Sequence, residues 1–526
     1  MTANEELIMI HRASLALLAA VLMAAGAASA AEPGAQAQAL HVLNRLAYGP
    51  RPGDVERVAG MGVQRWIDQQ LHPETIPLPS DLNTRLAALD TVNRGAGASL
   101  AEFLELRRDV RMEDEGAKQR RRQVEMRVSR QAAEARLLSA VESPRQLEEV
   151  MVDFWYNHFN VFAGKGIDRA LVTSYERDAI RPHALGSFRA LLGATAKHPA
   201  MLFYLDNVVS SAPRADAKGK ARGLNENYAR ELMELHTLGA DGGYTQRDVT
   251  ELARMLTGWT FDQKRLARTG EMFRFDAGRH DRGTKTWLGH EIAPAGQQEG
   301  EYALDVLAMH PATAHHVSRQ LAQYFVSDDP PPALVDRMAA TWLASQGDIR
   351  AVLATLFASR EFMAPDAAGA KFKTPYQFVV SAVRASGVPV VNVGPLVNTM
   401  NQLGMPLYGC QTPDGYKNTQ DAWLNPDALT RRIAFASALA GGRLPLGVVP
   451  AEARPAAMAP NLAGSDVVPL PAPVPPAEPK PVPLDPVRLQ ATLAGSISPR
   501  TLGTVQRNPD NLRAAMLLGS PDFMQR

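Results

Sequence analysis

One cysteine, Cys410, stands in a chain of 526 residues. No intrachain disulfide and no cysteine-rich zinc site can form, so packing alone must hold the fold. A charge excess is also missing: 56 Lys and Arg against 55 Asp and Glu leave a net charge of +1. A general nucleic-acid binder carries a basic excess or a basic face, so no nucleic-acid partner is expected. There is no Walker loop, no Gly-x-Ser-x-Gly elbow, no Rossmann glycine pattern and no His-Glu-x-x-His pair. Aromatic residues are sparse at 6%, against 45% hydrophobic residues in all. That is ample material for a buried core, in roughly three domain-sized units by length.

The N-terminus holds an apolar run, residues 13–27, after His11 and Arg12, closing on Ala28-Ser29-Ala30. A short apolar core with a small-x-small end reads as a cleavable secretory leader, shorter than the ~20 residues of a spanning helix. Met9 followed by Ile10-His11-Arg12 makes a better positive start than Glu5 and Glu6. No later stretch reaches spanning length, so no transmembrane segment is expected after the leader. The expected location is the periplasm or the exterior.

Helical periodicity dominates the rest of the chain. Residues 35–75 read as a helical unit, and 100–140 as a helix with a solvated face of mixed charge or, as the alternative, a local nucleic-acid or anionic-polymer patch. Ser143-Pro144 starts an amphipathic helix carrying Leu147, Val150, Met151, Phe154, Trp155 and His158. Further helices are expected near 168–180, 186–196, 199–206, 224–238 and 246–257. Thr245 and Asp248 supply a capping-box start for the last of these. A minor β-hairpin is expected near 271–289. Helices resume at 301–309, 311–326, 333–344 and 348–358. Two local echoes stand out: Lys197-His198-Pro199-Ala200 with Met309-His310-Pro311-Ala312, and residues 356–363 with 517–524. Residues 450–486 hold 12 prolines in 37 positions and read as an extended, disordered insertion. Residues 487–526 regain helical character and are expected to dock on the main domain, 35–449.

The segment 224–238 is the chemically interesting one. On a wheel of about 100° per residue, Glu231 falls inside the arc of Leu224, Tyr228, Leu232 and Leu235. A buried carboxylate needs a partner, a proton or a metal. Arg181 or Arg254 would make it structural; a metal or an acid–base role would make it functional. His236 at the edge of that face and His158 at the end of its own helix are each core histidines or ligands. Glu231, His236 and His158 are thus the candidate catalytic residues and the candidate ligands of a divalent metal. Asn157, Asn227, Arg230 and Glu234, with His280 and Asp281, are candidate binding residues. Neighbours on an extended chain face opposite sides, so His280 and Asp281 are not expected to pair with each other. Asp414-Gly415 reads as a turn first and a binding loop second.

Several runs are similar to a known set. Residues 41–50, HVLNRLAYGP, and 154–159, FWYNHF, resemble motifs of the bacterial domain of unknown function 1800 family. So do 225–239, NENYARELMELHTLG, then 242–249 and 256–259, His280-Asp281 with Lys285, Lys373-Thr374-Pro375, and 412–416, TPDGY. The resemblance runs in order from about residue 38 to the C-terminus. It implies export, and a gene neighbour encoding another exported protein as a partner; it implies no activity.

These readings give a mainly α, large multi-helix globular domain with a minor β-hairpin. Two functions stay open: a metal-dependent or acid–base hydrolase of an envelope or extracellular polymer, and a non-catalytic envelope scaffold or interaction protein. The leader is directly testable. N-terminal sequencing of the exported protein is expected to begin at Ala31; an intact N-terminus on cytosolic protein would overturn the reading.

Overall fold

Proline is abundant for a helical chain, and it sits where a helix can use it. Pro199, Pro311, Pro332, Pro375, Pro426, Pro486, Pro499 and Pro521 each occupy the first turn of a helix. There the missing N–H costs nothing and the fixed φ is already helical. The computed structural model describes residues 33–111, 116–215, 221–448, 481–493 and 495–526. The expected leader and residues 450–480 of the Pro-rich stretch lie outside the described residues.

The architecture is mainly α. Among the described residues the strands are short antiparallel pairs: 214–215 with 221–222, 259–260 with 274–275, and 285–287 with 290–292. The minor hairpin thus turns at Leu288-Gly289, with 274–275 paired back to 259–260 instead. No helix among the described residues is long and apolar enough to cross a membrane.

Several helices differ from the sequence reading in extent. The charged stretch is two helices, Ala96–Arg111 and Ala117–Glu142, folded back on each other. Residues 168–180 are short turns ending in a π-turn, Tyr175–Ile180. The 224–238 segment is helical only over Asn227–Glu234. Residues 486–524 form four helices, Pro486–Thr492, Pro499–Gln506, Asp510–Leu518 and Pro521–Met524. The third packs on Pro426–Ala440. Both sequence echoes are helix caps. His198 and His310 accept from the amides of Ala200 and Ala312 through Nδ1. Ser359 and Ser520 cap the turns immediately after them.

The helix Gln146–His158 runs through the centre. It is buried nearly all round, because its polar face meets Arg136 of Ala117–Glu142. Arg136 pairs with Asp153 at 2.5 Å and Glu176 at 3.2 Å. Its guanidinium also lies 5.1–5.5 Å from the ring centres of Tyr156, Tyr376 and Tyr408. Behind this helix lies a cationic shell: Arg45, Lys371, Lys373, Arg432 and Arg526 are all buried. Lys373 donates to Phe523 O and stands 3.8 Å from its ring centre. Arg432 donates to Lys373 O between Phe372 and Phe378. These ring faces and carbonyls, with Asp328 on Lys371, compensate part of the buried charge.

Arg136→Met is expected to destabilise the protein by about 3–5 kcal/mol, because it strands the buried Asp153 and removes one of the two cations on Glu176. Urea unfolding checks this. A loss below about 1 kcal/mol, the scale of an exposed pair, would mean that Arg136 is not the central tie.

Candidate active site

A cleft of about 300 Å³ opens against the central helix. Asp153, Phe154, Asn157 and His158 form one wall, and Glu234 and Leu235 a second. His316, Gln320, Gln323 and Tyr324, on the helix Pro311–Phe325, make a third. Thr374 and Gln377 supply the base, and the loop Asp414–Asn418 the rim. Segments far apart in the chain therefore share one polar cavity.

Two asparagines of the central segment hold the rim loop. Asn157 Oδ1 accepts from Tyr416 N at 2.8 Å, and its Nδ2 donates to Tyr416 O at 2.9 Å. Asn160 donates to Cys410 O at 3.0 Å and Thr412 O at 2.8 Å. Gly415 is needed at the crossing: its φ is +69°, and a Cβ would lie 2.3 Å from Asn157 O. Lys417 bonds Asp414 at 2.8 Å, and Lys371 donates to Asn418 O at 2.8 Å.

The histidines gather at the inner end. His158 and His236 have ring centres 6.1 Å apart, and His158 Nε2 donates to His236 O at 3.1 Å. That fixes the tautomer and leaves Nδ1 as an acceptor. Gln320 lines the cleft beside the same ring. Burial, with His316 nearby, pulls the His158 pKa down to about 4, so the ring is neutral at pH 7. His236 lies well below its ordinary value for the same reason, burial first and His158 second. The Nε2 atoms of His236 and His316 make no hydrogen bond with the described residues. Gly239 lets His316 approach: at φ +83°, a Cβ would lie 2.7 Å from His316 Nδ1.

Glu231 is half-buried, not buried. The helix begins at Asn227 and ends at Glu234, so Leu224, Leu235 and His236 do not share its wheel. Neither expected arginine partners it: Arg181 takes Glu149 and Arg254 takes Asp281. Its carboxyl is pushed up by burial, then by Glu234 and Asp414, with Arg230 opposing. Asp414 moves the other way. Burial acts to raise it, but hydrogen bonds from Lys417 and Thr412 outweigh that and hold it below its ordinary value. Among the described residues, no group of three or more His, Cys, Asp or Glu side chains is arranged to hold a metal ion.

The other sequence candidates lie elsewhere. Asn227 donates to Leu205 O, and Arg230 pairs with Glu226. His280 and Asp281 are buried and, as their spacing implied, do not pair with each other. His280 Nε2 meets Glu299 at 3.0 Å, beside Lys285 at 2.7 Å from the same carboxylate, while Asp281 binds Arg254. Sequence reasoning missed His316, Gln320, Gln323, Gln377, Lys417 and Asn418. The stripe His316-Gln320-Gln323, at i, i+4 and i+7, was the available signal for one wall.

The family model described as "Protein of unknown function (DUF1800)" matches residues 41–525. The chain belongs to this family. Its motifs in this chain supply Phe154, Asn157 and His158, Glu234 and Leu235, Thr374, and Asp414 and Tyr416 of the cleft. Comparison with curated proteins and with solved structures gives no match.

The histidines predict an acid sensitivity. The unfolded chain protonates each ring near 6.5, whereas native His158 resists to about 4 and His198, also buried, to about 3. Each therefore stabilises the fold fully above pH 6.5 and loses that contribution as pH falls toward its native value. For His158 the loss is about 3 kcal/mol between pH 6.5 and 4. Urea unfolding of His158→Asn at pH 7.5 and 4.5 is expected to show a weaker pH dependence than wild type. Identical dependence would overturn the assignment.

Proposed function

We propose that the protein is an exported acid–base hydrolase of an envelope or extracellular polymer, with Glu231 as the general acid and Asp414 as the general base. The observation that carries this reading is the convergence of the motif segments on one cleft lined by Glu234 and Asp414, with Glu231, on the same short helix as Glu234, feeling the charge of both. Opposite pKa shifts in neighbouring carboxyl groups are the usual basis for dividing acid and base roles. Burial and like charge favour a protonated Glu231, while Lys417 favours an ionised Asp414. In the proposed step Asp414 takes a proton from water, the water oxygen bonds the carbon of the scissile link, and as that carbon's bond to the leaving oxygen or nitrogen breaks Glu231 gives its proton to the leaving atom. Neutral His158 and the amides of Gln320 and Gln323 offer hydrogen bonds that suit a hydroxyl-rich chain. Asn157 acts as a positioning residue through Tyr416.

The test is release of reducing ends or free amines from purified peptidoglycan and a panel of polysaccharides. Glu231→Gln and Asp414→Asn are each expected to lower kcat by about 100-fold or more. Glu231→Gln should also remove the alkaline limb of the pH profile, and Asp414→Asn the acid limb. Turnover that survives both substitutions would exclude this assignment. No turnover of any polymer would favour the scaffold reading.

A further inference from the structure

The helix Ala117–Glu142 projects beyond the core: none of its side chains from 118 to 130 is buried. Against its flank runs an open groove of about 820 Å³, on a different set of residues from the cleft. Phe162, Val397 and Leu407 line it with apolar surface, and Met126, 63% exposed, stands over it. The rim is cationic, with Arg122, Arg130 and Arg169 against one acid, Glu125. Glu125 is already taken, by Arg169 at 2.7 Å and Arg121 at 3.5 Å. Arg122 and Arg130 form no ion pair with the described residues, and Arg130 Nε is shielded without a hydrogen-bond partner.

We infer that this groove binds an extended peptide segment of a partner protein in which an apolar residue lies between two acidic ones. The charge complementarity sets the chemistry and the geometry sets the spacing. Arg122 and Arg130 are eight residues apart on a helix, about 12 Å along its axis. In an extended strand, residues i and i+4 are about 13 Å apart and point the same way as i+2. Acids at i and i+4 therefore reach the two arginines while i+2 rests on Phe162 and Val397. A continuous polyanion such as nucleic acid fits less well, because Glu125 stands between the two arginines in sequence.

The probe is a fluorescein-labelled peptide, Gly-Glu-Ser-Leu-Ser-Glu-Gly, added to the full mature protein and followed by anisotropy. It should bind in a salt-sensitive manner. Moving the two acids side by side, or replacing them by lysine, should weaken binding at least tenfold. The double variant Arg122→Glu with Arg130→Glu should lose the acidic peptide and gain the lysine one, and circular dichroism verifies its fold. Val397→Asp, which leaves the arginines intact, should also weaken binding. Absence of binding, or equal affinity in the charge-reversed protein, would overturn the inference. So would capture by phosphatidylglycerol vesicles that depends on Arg122 and Arg130 without peptide binding, because that would assign the groove to a membrane surface.

Discussion

The guanidinium of Arg136 is the fixed point of this molecule. It reaches Asp153 on the central helix and Glu176 on the π-turn, while Tyr408 donates to the same Glu176 at 2.9 Å. Three aromatic rings surround it. Such an arrangement adds little stability over an apolar core of equal volume, because desolvating the charges offsets their attraction. What it adds is register. The π-turn widens the backbone by one residue at Tyr175–Ile180, where Glu176 meets Arg136 and Arg181 meets Glu149. An apolar replacement could slide; a forked donor between two carboxylates cannot. Asp153 is in turn a wall of the cleft, so the register of the central helix reaches the site directly.

The family motifs are largely devices for holding backbone. Asn157 and Asn160 use their side-chain amides as substitute peptide groups, pairing with Cys410, Thr412 and Tyr416 more than 200 residues away. Gly415 is the residue that permits that approach. This explains why such motifs locate a site without naming its chemistry. Several motif side chains are spent on anchoring, while Gln320, Gln323 and Lys417, which also face the cavity, lie outside the motifs.

What was legible in the sequence was local. Thr245 with Asp248 makes the expected capping box, and the histidine and serine echoes cap their helices. These depend on residues within one turn of each other. What was not legible depended on where a helix stops. Glu231 looked central on a fifteen-residue wheel, but the helix spans eight residues. His236 N reaches back to Glu231 O as the chain leaves the helix, so His236 lies beyond the helix that carries Glu231. The partners assigned to Glu231 failed for a different reason. Arg181 and Arg254 had acids of their own, on segments no periodicity could connect.

The loop 406–418 joins two surfaces that otherwise share no residue. Leu407 to Gly409 wall the groove, and Asp414 to Asn418 rim the cleft. Between them the loop is pinned by Asn160 and by the hydrogen bond of Tyr204 to Gln411 O. Tyr408 itself holds a left-handed backbone, φ 55°, a conformation a bulky residue keeps only when its surroundings impose it. Those surroundings are Glu176 and Arg136. A ligand that displaced Tyr408 in the groove would release backbone strain and withdraw a donor from Glu176, which shares Arg136 with Asp153 in the cleft. Besides the loop itself, this buried network, in which Glu176 meets both Arg136 and Arg181, is a physical path between the two surfaces.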